Sequence, residues 1–125
     1  MSDVDALETV FVGGHALKEI GGVRFATAAA GIKYKDRDDV LLVELAPGTA
    51  IAGVFTKSST RSAPVLDCQA KLGGDASEGA AFLVNAGNAN AFTGDNGRKA
   101  VEETALSLTS ALGVKTNHVF LASTG

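Results

Sequence analysis

A chain of 125 residues, 46% hydrophobic and 20% charged, can bury a core, and this composition excludes an intrinsically disordered segment. The net charge of −3 and the lack of a lysine and arginine cluster argue against a nucleic-acid partner, which needs a concentrated basic face. No apolar stretch approaches the roughly 18 residues that span a bilayer, so we expect no membrane partner. The acidic start lacks signal-peptide features and the single cysteine, Cys68, cannot form an internal disulfide, so we expect a cytoplasmic location.

The amino-terminal half predicts β-structure separated by turns. The first dozen residues are interpreted as a loose entry, that is, an irregular amino-terminal segment, which ends near Gly13-Gly14. A hairpin is predicted around Gly21-Gly22. Pro47-Gly48 is a typical turn pair. Four strands are predicted from their apolar and β-branched residues, over residues 16–20, 23–30, 40–45 and 51–56. Polar loops are predicted over residues 57–62 and 71–79.

Extended chain is also predicted on either side of the second polar loop. Pro64 biases Ala63 toward an extended conformation, and Cys68 is expected to lie in the same extended piece. The run over residues 81–84 is continuously apolar, which is typical of a short strand covered on both faces.

One helix is predicted after Gly97. Its apolar residues recur at helical spacing and form one stripe: Val101, Ala105, Leu108 and Leu112. Asp95 or Asn96 is expected to cap the start, and Gly113 stands where a left-handed residue ends a helix. A final strand is predicted over residues 119–121.

Strands separated by one long helix and several turns predict a mixed α/β domain of the α+β class. The sequence contains no internal repeat and no low-complexity segment, so residues 1–125 are interpreted as a single domain. The last strand leads into Ser123-Thr124-Gly125, which reads as a loop entering a site, and the domain is therefore interpreted as partial.

Asparagines cluster directly after the strand over residues 81–84, at Asn85, Asn88 and Asn90. Asparagine tolerates left-handed backbone and its amide satisfies backbone groups, so the cluster is typical of a tight turn that holds the strand end. The alternative is that one amide lines a substrate site, because ligands gather beyond strand ends in α/β folds. The spacing does not indicate a metal site, since amides are poor ligands without carboxylates.

Other polar groups are interpreted as structural. The run Gly94-Asp95-Asn96-Gly97-Arg98-Lys99 lacks the spacing of a phosphate-binding loop and reads as a helix start. Residues 56–61 are expected to form a solvated loop, or else to border a site where Lys57 or Arg61 attracts a carboxylate. Three further residues are expected to be packed or surface side chains, not ligands or catalysts: His15, His118 and Cys68.

The terminal Ser123-Thr124-Gly125 has two interpretations. By composition it is a turn after a strand. A hydroxyl beside a glycine N–H is also one way to build an oxyanion hole, because glycine lets the backbone approach a reacting carbonyl without a Cβ. Spacing alone does not decide between them.

Six groups of segments occur in a particular order along the chain. They are Gly31-Ile32-Lys33 with Asp38-Asp39, Ala52-Gly53-Val54-Phe55-Thr56, Ala63-Pro64-Val65, Val84-Asn85-Ala86-Gly87-Asn88-Ala89-Asn90, Thr93-Gly94 with Gly97, and Ala122-Ser123-Thr124-Gly125. In this order they resemble the ornithine acetyltransferase family, also called bifunctional glutamate N-acetyltransferases. The chain departs from the family pattern at Lys57-Ser58-Ser59, where an asparagine is usual, and at Ala86, where serine is frequent.

The resemblance implies the layered α/β sandwich of ornithine acetyltransferases and of amino-terminal-nucleophile aminopeptidases. It implies a ping-pong transfer of an acetyl group from N-acetylornithine to glutamate, in arginine biosynthesis. Family members cleave themselves before an internal threonine, which becomes the amino-terminal nucleophile of a second chain. Thr124 and Gly125 correspond to the family's oxyanion-stabilising pair. No segment of the 125 residues matches the motif of the nucleophile.

The resemblance further implies a β-chain from the same precursor as partner, in an α2β2 heterotetramer, and no metal or organic cofactor. Acetyl-CoA is a second acetyl donor in bifunctional family members, and the sequence does not assign it here. The isolated chain is expected to be inactive and poorly soluble, because it would expose strand edges and apolar surface. Two alternatives stay open: an amino-terminal-nucleophile aminopeptidase or amidase, and a non-catalytic assembly fragment.

Overall fold

The computed structural model describes residues 11–12, 15–16, 19–74 and 77–125. In chain order the elements are β1 (Phe11–Val12), β2 (His15–Ala16), β3 (Val23–Ala28), β4 (Val40–Leu45), α1 (Ala63–Lys71), β5 (Ala80–Ala86), α2 (Gly94–Leu112), a short 3-10 turn (Thr116–His118) and β6 (Val119–Thr124). Strands β1 and β2 form a small antiparallel pair. The other four form one sheet in the order β3-β4-β5-β6, which confirms the predicted mixed α+β class.

The sheet is antiparallel except at its last pair. Strand β4 pairs antiparallel with both β3 and β5, whereas β5 and β6 run parallel. A parallel pair needs a crossover connection, and helix α2 provides it. Both helices contact β6 and each other, so they cover one face of the sheet at this strand. The described core lies between α2 and this face: Val101, Ala105, Val114, Val119 and Leu121.

The two faces of the sheet carry different side chains, because successive residues of a strand point to opposite sides. Leu83 and Leu121 are paired across β5 and β6 and belong to the core beneath the helices. Phe82 and Phe120, one residue earlier in each strand, lie on the opposite face, where their rings stack with centroids 5.0 Å apart. That second face is apolar and most of its side chains are only partly buried.

Helix α1 corrects the expectation of extended chain around Ala63 and Cys68. Both residues are helical, and Ser62 is the residue that precedes the first turn. Proline disfavours helical backbone in the residue before it, but it also fits the first turn of a helix, where a backbone N–H has no intrahelical acceptor. At Pro64, which is buried against the rest of the fold, the second effect prevails.

Helix α2 confirms the predicted apolar stripe and corrects the predicted start. It begins at Gly94, before Gly97, and Thr93 occupies the capping position that was predicted for Asp95 or Asn96. Its end is as predicted. Gly113 adopts φ +73°, and its N–H donates to the Thr109 carbonyl at 2.9 Å.

The predicted hairpin is wrong in its pairing. A turn is present at Gly21-Gly22, where the Val23 N–H donates to the Ile20 carbonyl at 3.2 Å. Strand β3, however, pairs with β4 along all six residues and thereby places Phe25 opposite Val43. Residues 19–20 are not in a strand, and residues 17–18 lie outside the described part of the chain.

Other boundaries also differ from the predictions. Residues 51–56 form a loop and not a strand, and β5 is longer than the predicted 81–84. Strand β6 continues through Thr124, so Ser123 and Thr124 belong to the sheet and not to a loop. Residues 1–10, most of the predicted loose entry, and residues 13–14, where it was expected to end, are outside the described residues.

Candidate active site at the carboxyl ends of β5 and β6

The sequence candidates meet at one edge of the sheet. Because β5 and β6 are parallel, their carboxyl ends lie side by side, with Asn85 opposite Ser123 and Ala86 opposite Thr124. The loop between β3 and β4 reaches the same edge, because Val40 pairs with Asn85. Ligand sites in α/β folds form beyond such strand ends.

Thr124 and Gly125 are both exposed at this edge. Ser123 lies on the helix-covered face, where its hydroxyl contacts Asn85, so Thr124 lies on the opposite face. Within the part of the chain that the structure describes, no residue hydrogen-bonds the Thr124 hydroxyl. The hydroxyl of Thr124 and the N–H of Gly125 come from consecutive residues that are both exposed at the strand end.

The amide of Asn85 is used within the site. Its Oδ1 accepts a hydrogen bond from the Ser123 hydroxyl at 2.6 Å, and its Nδ2 donates to the Asn88 carbonyl at 2.9 Å. Asn88 in turn accepts the N–H of Asn90 on its Oδ1 at 2.9 Å. These bonds join the ends of β5 and β6 to the asparagine turn.

Asn90 joins the same turn to the start of α2. It adopts φ +51°, a left-handed conformation that asparagine tolerates. Its Nδ2 donates to the Gly97 carbonyl at 3.3 Å, and its Oδ1 accepts the Thr93 hydroxyl at 2.5 Å. The asparagines therefore build the tight turn expected from the sequence, and a role for them in binding substrate stays a prediction.

Gly97 is buried beneath this turn. A Cβ on Gly97 would lie 1.8 Å from the Thr93 hydroxyl oxygen and 2.7 Å from the Thr93 Cβ. We expect Gly97→Ala to destabilise the protein by about 1–3 kcal/mol, because overpacking outweighs the gain of about 1 kcal/mol in helix propensity. Urea unfolding measures the difference. Asn96→Ala, at an exposed position in the same turn, is the control and should change stability by less than about 0.5 kcal/mol.

Asp39 organises the loop between β3 and β4. Asp39 is 5% exposed, and its carboxylate accepts the N–H groups of Ala30 at 2.6 Å and Ile32 at 2.8 Å. Its own carbonyl accepts the N–H of Ala86, the last residue of β5, at 2.8 Å. The loop also lies against Gly87, where a Cβ would approach the Lys33 Cβ to 2.9 Å. Asp39 thus holds this loop at the candidate site.

The backbone N–H of Ile32, and then that of Ala30, lower the pKa of the Asp39 carboxyl below its ordinary value. A lowered folded-state pKa stabilises the protein above the unfolded value of about 3.9, and this contribution is lost as the pH falls through the folded value. We therefore expect Asp39→Asn to be less stable than wild type near neutral pH, and the difference to shrink below about pH 4. Urea midpoints across this pH range measure it. Asp36→Asn, at an exposed position of the same loop, is the control and should change stability near neutral pH by less than about 0.5 kcal/mol.

A separate cleft of about 550 Å³ lies between α1 and α2. Arg61 is among its lining residues, but its guanidinium donates to the Gln69 side chain at 2.9 Å. Arg98 also lines the cleft and is paired with Asp95 and Glu102. Neither Thr124 nor the asparagine turn up to residue 90 contributes to this cleft. Lys57 is exposed and does not line it either.

Two other predicted structural residues are packed in the fold. Cys68 is half-buried in α1, its thiol donates to the Leu121 carbonyl at 3.3 Å, and burial raises its pKa. His118 is 5% exposed. Among the described residues, no group of three or more histidine, cysteine, aspartate or glutamate side chains is arranged to hold a metal ion. The described helices include none long and apolar enough to cross a membrane.

In an α+β domain, a hydroxyl and a glycine N–H at an open strand end are groups that can donate hydrogen bonds to an oxyanion. The sequence model of the ArgJ family matches residues 24–125, and the chain belongs to this family. It is 55% identical over 109 residues to the "Arginine biosynthesis bifunctional protein ArgJ" of Ruegeria pomeroyi, covering 87% of this chain and 27% of that protein. The corresponding protein of Nitrobacter winogradskyi is 57% identical over 111 residues, again covering 87% and 27%.

Solved structures agree with this assignment. The crystal structure of ornithine acetyltransferase complexed with ornithine, from Mycobacterium tuberculosis, matches with a TM-score of 0.76 and 38% identity over 84% of this chain and 56% of that chain. The arginine biosynthesis bifunctional protein ArgJ of Bacillus halodurans matches with a TM-score of 0.73 and 25% identity, over 84% and 54%. The chain spans about a quarter of the length of the curated relatives. The family resemblance seen in its sequence is confirmed.

Proposed function

We propose that this chain is the amino-terminal part of an ornithine acetyltransferase α-chain, which moves an acetyl group from N-acetylornithine to glutamate in arginine biosynthesis. The nucleophile is a threonine on a downstream β-chain, released by self-cleavage of the precursor. The present chain supplies the oxyanion hole, from the hydroxyl of Thr124 and the N–H of Gly125.

The placement of Thr124 and Gly125 carries this proposal. They stand at the exposed carboxyl end of β6, beside the end of β5. A second chain that carries a nucleophile can reach this edge. The family membership and the ornithine bound to the Mycobacterium tuberculosis relative support the choice of substrate.

The reaction has two balanced halves. The threonine Oγ attacks the acetyl carbonyl carbon of N-acetylornithine, and the carbonyl oxygen becomes an oxyanion that accepts hydrogen bonds from Thr124 and Gly125. The C–N bond then breaks, the leaving amine takes the proton that the threonine lost, and ornithine departs. In the second half the neutral amine of glutamate attacks the acetyl ester, the C–O bond to the threonine breaks, and the proton lost by the amine restores the threonine hydroxyl as N-acetylglutamate leaves.

This chemistry needs neither a metal nor an organic cofactor, because the free α-amine of the threonine acts as the local base. We propose an α2β2 heterotetramer in the cytoplasm as the active form. Acetyl-CoA enters only as a second acetyl donor, if the protein is of the bifunctional kind named for its relatives.

The test is an assay of the full-length polypeptide with N-acetylornithine, with and without glutamate. We expect ornithine and N-acetylglutamate to form in equal amounts, with the parallel double-reciprocal plots of a ping-pong mechanism. Release of acetate without dependence on glutamate would instead identify an amidase or aminopeptidase. Absence of any turnover in the correctly cleaved protein would favour a non-catalytic assembly role.

A further inference from the structure

We infer that Asn85 and Ser123 are positioning residues that orient the oxyanion-hole donors; this inference rests on the proposed function. Neither side chain needs to touch the substrate for this role. Asn85 acts through Ser123, and Ser123 acts through the peptide that joins it to Thr124.

The contact that carries the inference is the hydrogen bond from the Ser123 hydroxyl to the Asn85 Oδ1, at 2.6 Å. It joins the second-to-last residues of two parallel strands, on the face of the sheet beneath the helices. Asn85 is itself held, because its Nδ2 donates to the Asn88 carbonyl at 2.9 Å. The amide can therefore present Oδ1 to Ser123 in only one orientation.

The end of β6 needs such a contact because β6 is an outermost strand of the described sheet, with β5 as its neighbour. A strand end paired on one side frays more easily than one paired on both. Alternation of the side chains places Thr124 on the opposite face to Ser123. Fixing Ser123 on one face therefore holds the backbone from which the Thr124 side chain projects to the other face, together with the following peptide that carries the Gly125 N–H.

The contact also connects the donors to a rigid element. From Asn85 the hydrogen bonds continue through Asn88 to Asn90, whose Nδ2 donates to the Gly97 carbonyl in the first turns of α2. Catalytic groups must be held close to their productive geometry, and a misplacement of about 1 Å can cost about a hundredfold in rate. A hydrogen-bonded chain that ends on a 19-residue helix meets that demand.

The experiment uses the full-length, self-cleaved protein and measures kcat and KM for N-acetylornithine. We expect Asn85→Ala and Ser123→Ala each to lower kcat by about 10- to 100-fold, with KM changed less than about threefold. The kcat of the double variant should lie within about threefold of that of the slower single variant, because the two substitutions remove the same contact. Ser123→Thr keeps the hydroxyl and should recover most of the activity. Asn117→Ala, an exposed amide at the other end of β6, is the matched control and should leave kcat unchanged.

The outcomes separate the two hypotheses. Unchanged kcat in Asn85→Ala, additive losses in the double variant, or no recovery in Ser123→Thr would overturn the positioning role. A rise in KM alone would assign Asn85 to substrate binding and would also overturn it. Thr124→Ala, assayed in parallel, decides the oxyanion proposal by itself. If Thr124→Ala is slow while Asn85→Ala is not, only the positioning inference fails.

Discussion

Thr124→Ala is expected to lower the turnover of the full-length protein by about 10²–10³, equivalent to about 3–4 kcal/mol of transition-state stabilisation. The substitution removes one of the two proposed donors to the oxyanion and leaves the Gly125 N–H in place. Because Thr124 is exposed and its hydroxyl bonds no described residue, the loss should come without a large change in stability. Release of ornithine under saturating N-acetylornithine measures the effect.

Thr124→Ser is the matched control, since it keeps the hydroxyl and removes only a methyl group. The turnover of Thr124→Ser should stay within about tenfold of wild type, because serine keeps the hydroxyl that donates the hydrogen bond to the oxyanion. The KM for N-acetylornithine should change little in either variant, because the donors act most strongly on the oxyanion. Equal turnover in Thr124→Ala and wild type would show that this hydroxyl is not part of the oxyanion hole.

Phe120→Ala is expected to have the largest effect on stability, a loss of about 3–5 kcal/mol. Phe120 is 5% exposed, and its ring stacks on Phe82 in the neighbouring strand at 5.0 Å. Removing it leaves a cavity and also takes away the partner of a stacked aromatic pair. Denaturant unfolding of the full-length protein measures the loss.

Phe92→Ala provides the same chemical change at an exposed position. Phe92 is 87% exposed and adopts φ +56°. This backbone conformation costs alanine no more energy than it costs phenylalanine. Its replacement should change the free energy of unfolding by less than about 0.5 kcal/mol. Similar losses in the two variants would contradict the packing described for the second face of the sheet.

The hydrophobic pattern alone predicted the elements that are determined mainly by their own local sequence. Strand β4 has the predicted bounds, because five of its six residues are apolar and a proline-glycine turn follows shortly after it. The apolar stripe of α2 follows the helical period, and its residues pack against β6 as that period requires. Gly113 ends the helix in the expected left-handed conformation.

Elements decided by tertiary contacts were not predictable in the same way. Residues 51–56 have β-forming side chains but form a loop, and propensity gives no information on whether a partner strand is available. The segment around Pro64 is helical. The sequence did not decide this, because proline is compatible with both an extended segment and the first turn of a helix. The partner of β3 is β4, and no local signal in the turn at Gly21-Gly22 identifies it.

The candidate site was predictable in part. The asparagine cluster after β5 indicated a tight turn, and the structure contains that turn with its amides bonded inside it. That Asn85 contacts Ser123 could not be predicted, because it depends on the parallel register of two strands 38 residues apart. The proposed role of Thr124 and Gly125 came from the family resemblance, since a hydroxyl next to a glycine is common in ordinary turns.

The central claim is that this chain serves an enzyme that carries its acetyl group on a downstream threonine. Brief incubation of the full-length, cleaved protein with N-acetylornithine alone, followed by mass analysis of its peptides, tests it most directly. We predict one acetyl group on the amino-terminal threonine of the downstream chain, transferred to glutamate when glutamate is added, and formed more slowly in Thr124→Ala. Release of ornithine with no acetyl group on the protein, or acetate in place of N-acetylglutamate, would contradict the claim.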